Sequence, residues 1–248
     1  MIAMVSNMSV LQFPNPFPGL ATRRCNRCAV LVRSTQAALT LLLLAILPIR
    51  AAAQPNSTGD TLQLPPADEH RVVDTVKFLT GAAFGLVLHE GGHLMFDAAF
   101  DARPRVSGVS FGPFPFFAIT HRGDLSPRRE FTISSAGFWM QELSSEWLLT
   151  KRPSLRDARA PIAKGLLAFN VLNSAGYACV AFARAGPFER DTRGMAGSID
   201  VDERAIGALV LAPAVLDAVR YFKPDARWAK WVSRGAKVGS VLLVVKRR

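Results

Sequence analysis

The segment FGLVLHEGGHLMFD, residues 84–97, places two histidines and a glutamate inside one of the most apolar parts of the chain. The surrounding run from Phe78 to Phe96 has nineteen residues and is bounded by Lys77 and Asp97. As a helix it would be close to the roughly 30 Å thickness of a bilayer core. The run therefore predicts a membrane-spanning helix, and ionisable side chains at that depth indicate a functional site.

The histidines and the glutamate have the spacing of a metal-binding motif. His89 and His93 are four residues apart with Glu90 between them, so on a helix the two imidazoles lie on one face, about one turn apart. This HExxH spacing allows two imidazoles to bind zinc while the glutamate accepts a proton from water. The sequence predicts Zn²⁺ as cofactor, His89 and His93 as ligands and Glu90 as the catalytic base. The alternative interpretation is a buried histidine pair with a paired acid.

Composition is consistent with a membrane location. Half of the 248 residues are hydrophobic, and the formal net charge is +11. The basic residues flank apolar runs and build no basic stripe interleaved with aromatic residues, so we expect no nucleic-acid partner. The lipid bilayer is the expected partner instead.

The amino-terminal region resembles a secretory signal. Several arginines precede the apolar run at 37–49, and small residues follow it at 51–54. We expect a signal peptide at 1–53, with an uncleaved anchor as the alternative. The remainder, 54–248, is then the membrane-embedded domain, and the stretch 54–70 is expected to be an extended leader.

Further segments predict the rest of the architecture. Gly165–Ala183 carries no formal charge and is a good candidate span, whereas 131–149 and 205–222 contain charged residues and are weaker candidates. The stretch 105–123 is rich in Gly, Pro, Phe and β-branched residues, which favours strand and turn. Residues 228–245 predict an interfacial or terminal helix. The expected fold is mainly α, a multi-span helical membrane protein with a short β-rich excursion after the zinc helix.

The motif HEGGH at 89–93, within an apolar helix, resembles the site-2 protease family of intramembrane zinc metalloproteases, which often carries HExGH. The resemblance implies a second helix that opens with a small-residue motif, loosely matched by SSAGFWMQ (134–141). It also implies a third helix that ends near an Asp-Gly motif, where GPFERDTRG (186–194) makes Asp191 the third metal ligand. Phe138 stands where the family has proline, and the family's LDG motif is absent.

Other residues compete for the role of third ligand. Glu142 begins an ExxxE pattern 49 residues after His93, which resembles the ligand placement of thermolysin-like proteases. Asp97 lies one turn beyond His93, and His121 lies in the β-like stretch. If 78–96 runs inward and the chain then crosses twice more, HEGGH and Asp191 both lie toward the cytoplasmic face.

These features predict a zinc-dependent endopeptidase of a bacterial inner membrane that cleaves peptide bonds of membrane-anchored protein or peptide substrates. One alternative is a catalytically silent, zinc-binding membrane scaffold or interaction protein. Another is a zinc protein with a different hydrolytic or metal-handling role.

Overall fold

The computed structural model describes residues 66–111 and 114–246, which form six helices and a two-stranded sheet. The elements in chain order are α1 (Pro66–Ala99), β1 (Arg105–Phe111), β2 (Phe114–Thr120), α2 (Pro127–Lys151), α3 (Pro161–Ala183), α4 (Asp191–Ile199), α5 (Glu203–Phe222) and α6 (Arg227–Lys246). The mainly helical fold and the β excursion after the first helix are thus confirmed. The predicted signal at 1–53 lies outside the described residues.

The first helix is longer than the sequence indicated. Residues 54–70 were expected to form an extended leader, but 66–70 are helical. The prediction of an extended leader was therefore wrong for residues 66–70. Proline suits the first turn of a helix, since its missing N–H would have no intrahelical partner there, which explains how α1 can begin at Pro66.

From residue 81 to 97 the helix α1 buries mostly small and polar residues, and along its length it exposes several large apolar ones. The buried residues are Gly81, Ala82, Gly85, His89, Gly92, His93 and Asp97. The exposed residues include Val72, Val76, Phe84, Val87, Leu94 and Met95. A helix on the surface of a soluble globular domain shows the opposite arrangement. The inverted pattern is typical of a helix with small residues at helix contacts and apolar residues toward lipid.

Close packing fixes α1 and α3 side by side. Gly81 faces the backbone carbonyl of Ile162, and Gly165 faces that of Phe78, so a Cβ at either glycine would collide with backbone. Further along both helices, Gly85 lies against the ring of Phe169. The contact moves from Ile162 opposite Gly81 to Phe169 opposite Gly85. Residue numbers therefore increase in the same direction along both helices, so α1 and α3 are parallel.

The helix α2 connects these two parallel helices and runs antiparallel to them. Twelve of its residues are buried, including the unbroken run 131–138, so all sides of this first part of the helix contact protein. Among the described residues, three helices are long and apolar enough to cross a membrane, over the ranges His70–Ala99, Pro161–Ala183 and Glu203–Phe222. The weaker candidate at 205–222 therefore reaches span composition, whereas 131–149 does not. Because α2 connects parallel helices, it must cross whatever α1 and α3 cross.

The last two long helices complete the bundle. Gly207 of α5 packs against Ala178 and Ala181 of α3, and the two helices are antiparallel. The helix α6, predicted as interfacial or terminal, lies along α2 and α5. Its contacts form what we call the ion cluster, composed of Glu146, Asp217, Arg220, Arg234 and Lys237.

The β excursion is an antiparallel hairpin with its register running from Arg105 opposite Thr120 to Phe111 opposite Phe114. This confirms the strand and turn prediction for the stretch 105–123. The hairpin is joined to the bundle just after β2, where His121 hydrogen-bonds Glu130 at 2.7 Å. It therefore lies beside the end of α1 that follows the HEGGH motif.

Candidate metal centre

Three side chains converge where α1, α2 and α4 meet. His89 Nε2 lies 3.2 Å from Asp191 Oδ2 and 3.3 Å from His93 Nε2, and His93 Nε2 lies 3.5 Å from Asp191 Oδ2. Among the described residues these three form the group of His, Cys, Asp and Glu side chains that could hold a metal ion. The structure thus brings the two histidines of the motif together with the aspartate that the resemblance implied.

The spacing of the three atoms fits a tetrahedral zinc site. Ligand bonds of about 2.0–2.1 Å at tetrahedral angles place any two ligand atoms about 3.3–3.4 Å apart. The three observed separations, 3.2, 3.3 and 3.5 Å, bracket this value. Two imidazole nitrogens and a carboxylate oxygen also leave a fourth position open, as catalytic zinc sites do.

A backbone carbonyl fixes the orientation of the His93 ring. Its Nδ1 donates a hydrogen bond to the carbonyl oxygen of Ile133 in α2, at 2.7 Å. A proton on Nδ1 leaves the lone pair of Nε2 directed at His89 and Asp191. Such a bond to the remote nitrogen fixes the tautomer and the ring orientation of a metal-binding histidine.

A glycine and two aromatic rings position His89. A Cβ at Gly137 would lie 2.5–2.7 Å from three atoms of the His89 ring, so no larger residue fits without moving the imidazole. Phe138 packs edge-on to His89 with the ring centroids 5.4 Å apart, and Tyr177 lies 5.9 Å away by the same measure. Phe138 therefore forms a wall of the site at the position where the family resemblance implied proline.

Asp191 is presented by a braced loop at the start of α4. The guanidinium of Arg190 donates two hydrogen bonds of 2.6 Å to the Glu203 carboxylate, and the Thr192 hydroxyl donates a third at 2.8 Å. Both neighbours of Asp191 are therefore tied to α5. Burial raises the pKa of the Asp191 carboxyl, but His93 and His89 outweigh this effect, so the pKa lies well below its usual range.

Glu90 is half-buried and lies within electrostatic range of His89, His93 and Asp191. In the part of the chain that the structure describes, its carboxylate makes no hydrogen bond or ion pair.

The two glycines that follow Glu90 differ in role. A Cβ at Gly92 would lie 2.6 Å from the Ala136 carbonyl oxygen, so this glycine permits contact between α1 and α2. Gly91 faces open space, which leaves room beside Glu90.

The rival third ligands lie elsewhere. Glu142 accepts a hydrogen bond from Ser240 of α6 at 3.0 Å, on the side of α2 that faces the ion cluster. Asp97 is fully buried, and His121 Nδ1 lies 3.6 Å from its Oδ1. With Glu130 these two form a separate cluster that fastens the hairpin to α1 and α2.

Sequence reasoning did not identify several residues that shape the site. Gly137 was seen only as part of a small-residue motif, and its place against His89 depends on the packing of two helices. Tyr177 lies in an apolar segment and had no motif to mark it. The pair formed by Arg190 and Glu203 joins two elements, although Arg190 does stand next to Asp191 in the chain.

Comparisons of this chain with protein-family models, with curated proteins and with solved structures each found no match.

Proposed function

We propose that the protein is a zinc-dependent endopeptidase that cleaves membrane-anchored protein or peptide substrates. The observation that carries the proposal is the convergence of His89, His93 and Asp191 within 4.8 Å of one another, with an unpartnered glutamate beside them. The residues match the HEGGH helix and the Asp191 ligand that the resemblance to site-2 proteases implies.

Each residue has a definite task in this reaction. His89 and His93 would bind the metal through Nε2, and Asp191 would bind it through its carboxylate. A bound zinc ion supplies Lewis-acid activation of water and of the peptide carbonyl group. Glu90 accepts a proton from the attacking water on its carboxylate and transfers it to the departing amine, which is the role of a general base and then a general acid.

The surroundings of Glu90 suit an extended substrate. A substrate helix must unwind before cleavage, because its backbone carbonyls are hydrogen-bonded and shielded. Gly91 leaves open space next to Glu90. The two strands pair only with each other in the described part of the chain, so an outer edge of the hairpin is available for pairing with an extended strand.

Two observations support the membrane location. In the part of the chain that the structure describes, three helices have the length and composition of spans, and α1 exposes large apolar side chains while it buries His89, His93 and Asp97. Together with the signal-like run at 37–49, they favour an integral protein of a bacterial inner membrane. Alkaline washing of membranes should leave the protein in the integral fraction, and its release into the soluble fraction would contradict this location.

Zinc analysis of purified variants tests the metal centre. Wild-type protein should contain about one zinc per chain, and Asp191→Ala and His93→Ala should both lower occupancy strongly, since zinc sites need three protein ligands. Glu142→Ala is the matched control and should keep its zinc. Loss of zinc in Glu142→Ala with retention in Asp191→Ala would show that the third ligand is assigned wrongly.

Cleavage is tested by comparing the membrane proteins of cells that express wild-type protein with those of cells that express Glu90→Gln. Fragments of a membrane-anchored protein should appear only with the wild type. Full zinc occupancy without any such fragment would favour the catalytically silent scaffold.

A further inference from the structure

An apolar groove of about 400 Å³ lies between α3 and α5. The start of α6 closes one end of it. Its lining includes Val171, Ala175, Ala214, Ala218, Phe222 and Trp228, and Lys223 is the charged residue on the lining. None of these side chains takes part in the proposed metal site, so the groove requires an explanation of its own.

The length of the groove corresponds to one leaflet of a bilayer. Its lining on α5 begins at Leu211 and ends at Phe222, and the eleven helical steps between them extend about 17 Å. Half of a bilayer core is about 15 Å. The groove therefore begins near the middle of the predicted span and ends where α5 ends.

The volume of the groove suits a single hydrocarbon chain. A helix is about 10–12 Å across and would occupy roughly 1,600 Å³ over this length. One hydrocarbon chain, about 5 Å across at van der Waals contact, would occupy roughly 330 Å³. The groove volume of about 400 Å³ is well below the first value and large enough for the second.

Cations without carboxylate partners surround the mouth of the groove. Lys223, Arg156 and Arg227 are exposed, and none of them forms an ion pair within the described residues. Arg156 reaches the groove directly, because its Nη1 donates a hydrogen bond to the Phe222 carbonyl oxygen at 3.2 Å. Asp157 and Asp225 are nearby in sequence but pair with none of these cations. The mouth therefore presents a positive surface.

Exposed tryptophans are found at the groove end, where Trp228 is 60% and Trp231 is 67% exposed. Tryptophan is enriched at the level of lipid head groups, which is the depth at which a lipid in the groove would place its phosphate.

We propose that this groove binds an anionic phospholipid, with an acyl chain between α3 and α5 and the phosphate against Lys223 and Arg156. The proposal depends on the membrane location but not on the metal centre or on catalysis. A loss of lipid binding and a loss of zinc or cleavage are therefore separate outcomes.

Native mass spectrometry of the purified full chain in detergent tests the proposal, with phosphatidylglycerol and phosphatidylcholine of identical acyl chains as probes. Phosphatidylglycerol should bind more tightly to the wild type. Lys223→Gln and Arg156→Gln should each weaken its binding roughly fivefold, since a cation near an anionic lipid contributes about 1 kcal/mol. Lys77→Gln is the matched control, because Lys77 is exposed and unpaired in the described structure, and lies on α1 away from the groove.

A second variant tests the acyl-chain position. Ala218→Trp places a large side chain in the groove and should weaken the binding of both lipids. Equal affinity for the two lipids in the wild type would overturn the proposal, as would an equal loss in Lys77→Gln and Lys223→Gln. Unchanged phosphatidylglycerol binding in folded Ala218→Trp would also overturn it. Concentration-dependent dimers of lipid-free protein that Ala218→Trp abolishes would instead identify a second copy of the chain as the occupant.

Discussion

The metal centre and the ion cluster both bury ionisable side chains in the same helical bundle, but their arrangements are opposite. In the ion cluster each acid faces cations, with Lys237 Nζ 2.8 Å from Asp217 and Arg234 Nε 2.8 Å from Glu146. In the metal centre two imidazole nitrogens and a carboxylate oxygen face one another within 3.5 Å. Lone pairs so close together require a proton or a cation between them.

This difference separates charges that are satisfied within the fold from groups that are not. The charges of the ion cluster satisfy one another and fasten α6 to α2 and α5. The three side chains of the candidate metal centre include no Lys or Arg, and Glu90 beside them has no hydrogen bond or ion pair in the described residues. Partnership within the folded chain, more than burial, therefore indicates which groups are available for chemistry.

The largest effect is expected at Glu90. Glu90→Gln keeps the size of the side chain but removes its basicity, so cleavage of a membrane-anchored substrate should fall by about 10²- to 10⁴-fold. Zinc content and the thermal unfolding midpoint should stay at wild-type values. Glu142→Gln, on the other side of α2, serves as the control and should retain cleavage. Unchanged cleavage by zinc-loaded Glu90→Gln would refute the proposed mechanism.

Arg220→Met should lower the free energy of unfolding, which Glu90→Gln should leave unchanged. Arg220 contacts both Glu146 and Asp217, and removing one partner of a buried ion network costs about 3–5 kcal/mol of unfolding free energy. Denaturant titration should show this loss, while the folded fraction keeps its zinc. Arg184→Met breaks an exposed pair and should leave stability unchanged. Wild-type stability of Arg220→Met would show that the ion cluster does not fasten α6.

A smaller effect is expected where the metal centre depends on a distant ion pair. Glu203→Gln weakens the brace that holds Arg190 and Thr192 on either side of Asp191. Loss of such an outer contact lowers metal affinity by about 10- to 100-fold, which titration against a competing chelator can measure. Glu189→Gln, an exposed neighbour without a hydrogen bond or ion pair in the described structure, is the control. Equal zinc affinity in both variants would show that Glu203 does not support metal binding by Asp191.

The smallest effect concerns the attachment of the hairpin. The hydrogen bond to Glu130 raises the pKa of His121, and the negative charges of Glu130 and Asp97 reinforce this, against burial and the nearby His93. A raised folded pKa means that the contribution is complete below the unfolded value, near 6.5, and is lost as pH rises through the folded value.

Amide hydrogen exchange of 105–120, corrected for the intrinsic pH dependence of exchange, should therefore show weaker protection as pH rises through this window. His121→Gln should remove that dependence. The same pH dependence in the variant would assign it to another group.

Much of the fold could be predicted from the chain itself. The length and apolarity of 78–96 and 165–183 predicted helices, and Gly, Pro and β-branched residues predicted the hairpin, because these features act locally. The boundary at Pro66 was missed because proline favours both an extended leader and the first turn of a helix. The polar composition of 131–149 suggested a weak span, since sequence alone does not show which neighbours will enclose a helix.

The same division holds for the candidate site. Helical periodicity by itself determined that His89 and His93 share one face, with Glu90 beside them, because four residues make about one turn. Which of Asp191 and Glu142 lies beside the two histidines depended on how α2 and α4 pack against α1. The position of Gly137 against His89 depended on the contact between α1 and α2. These were decided only by the tertiary structure, because they arise from the packing of segments far apart in the chain.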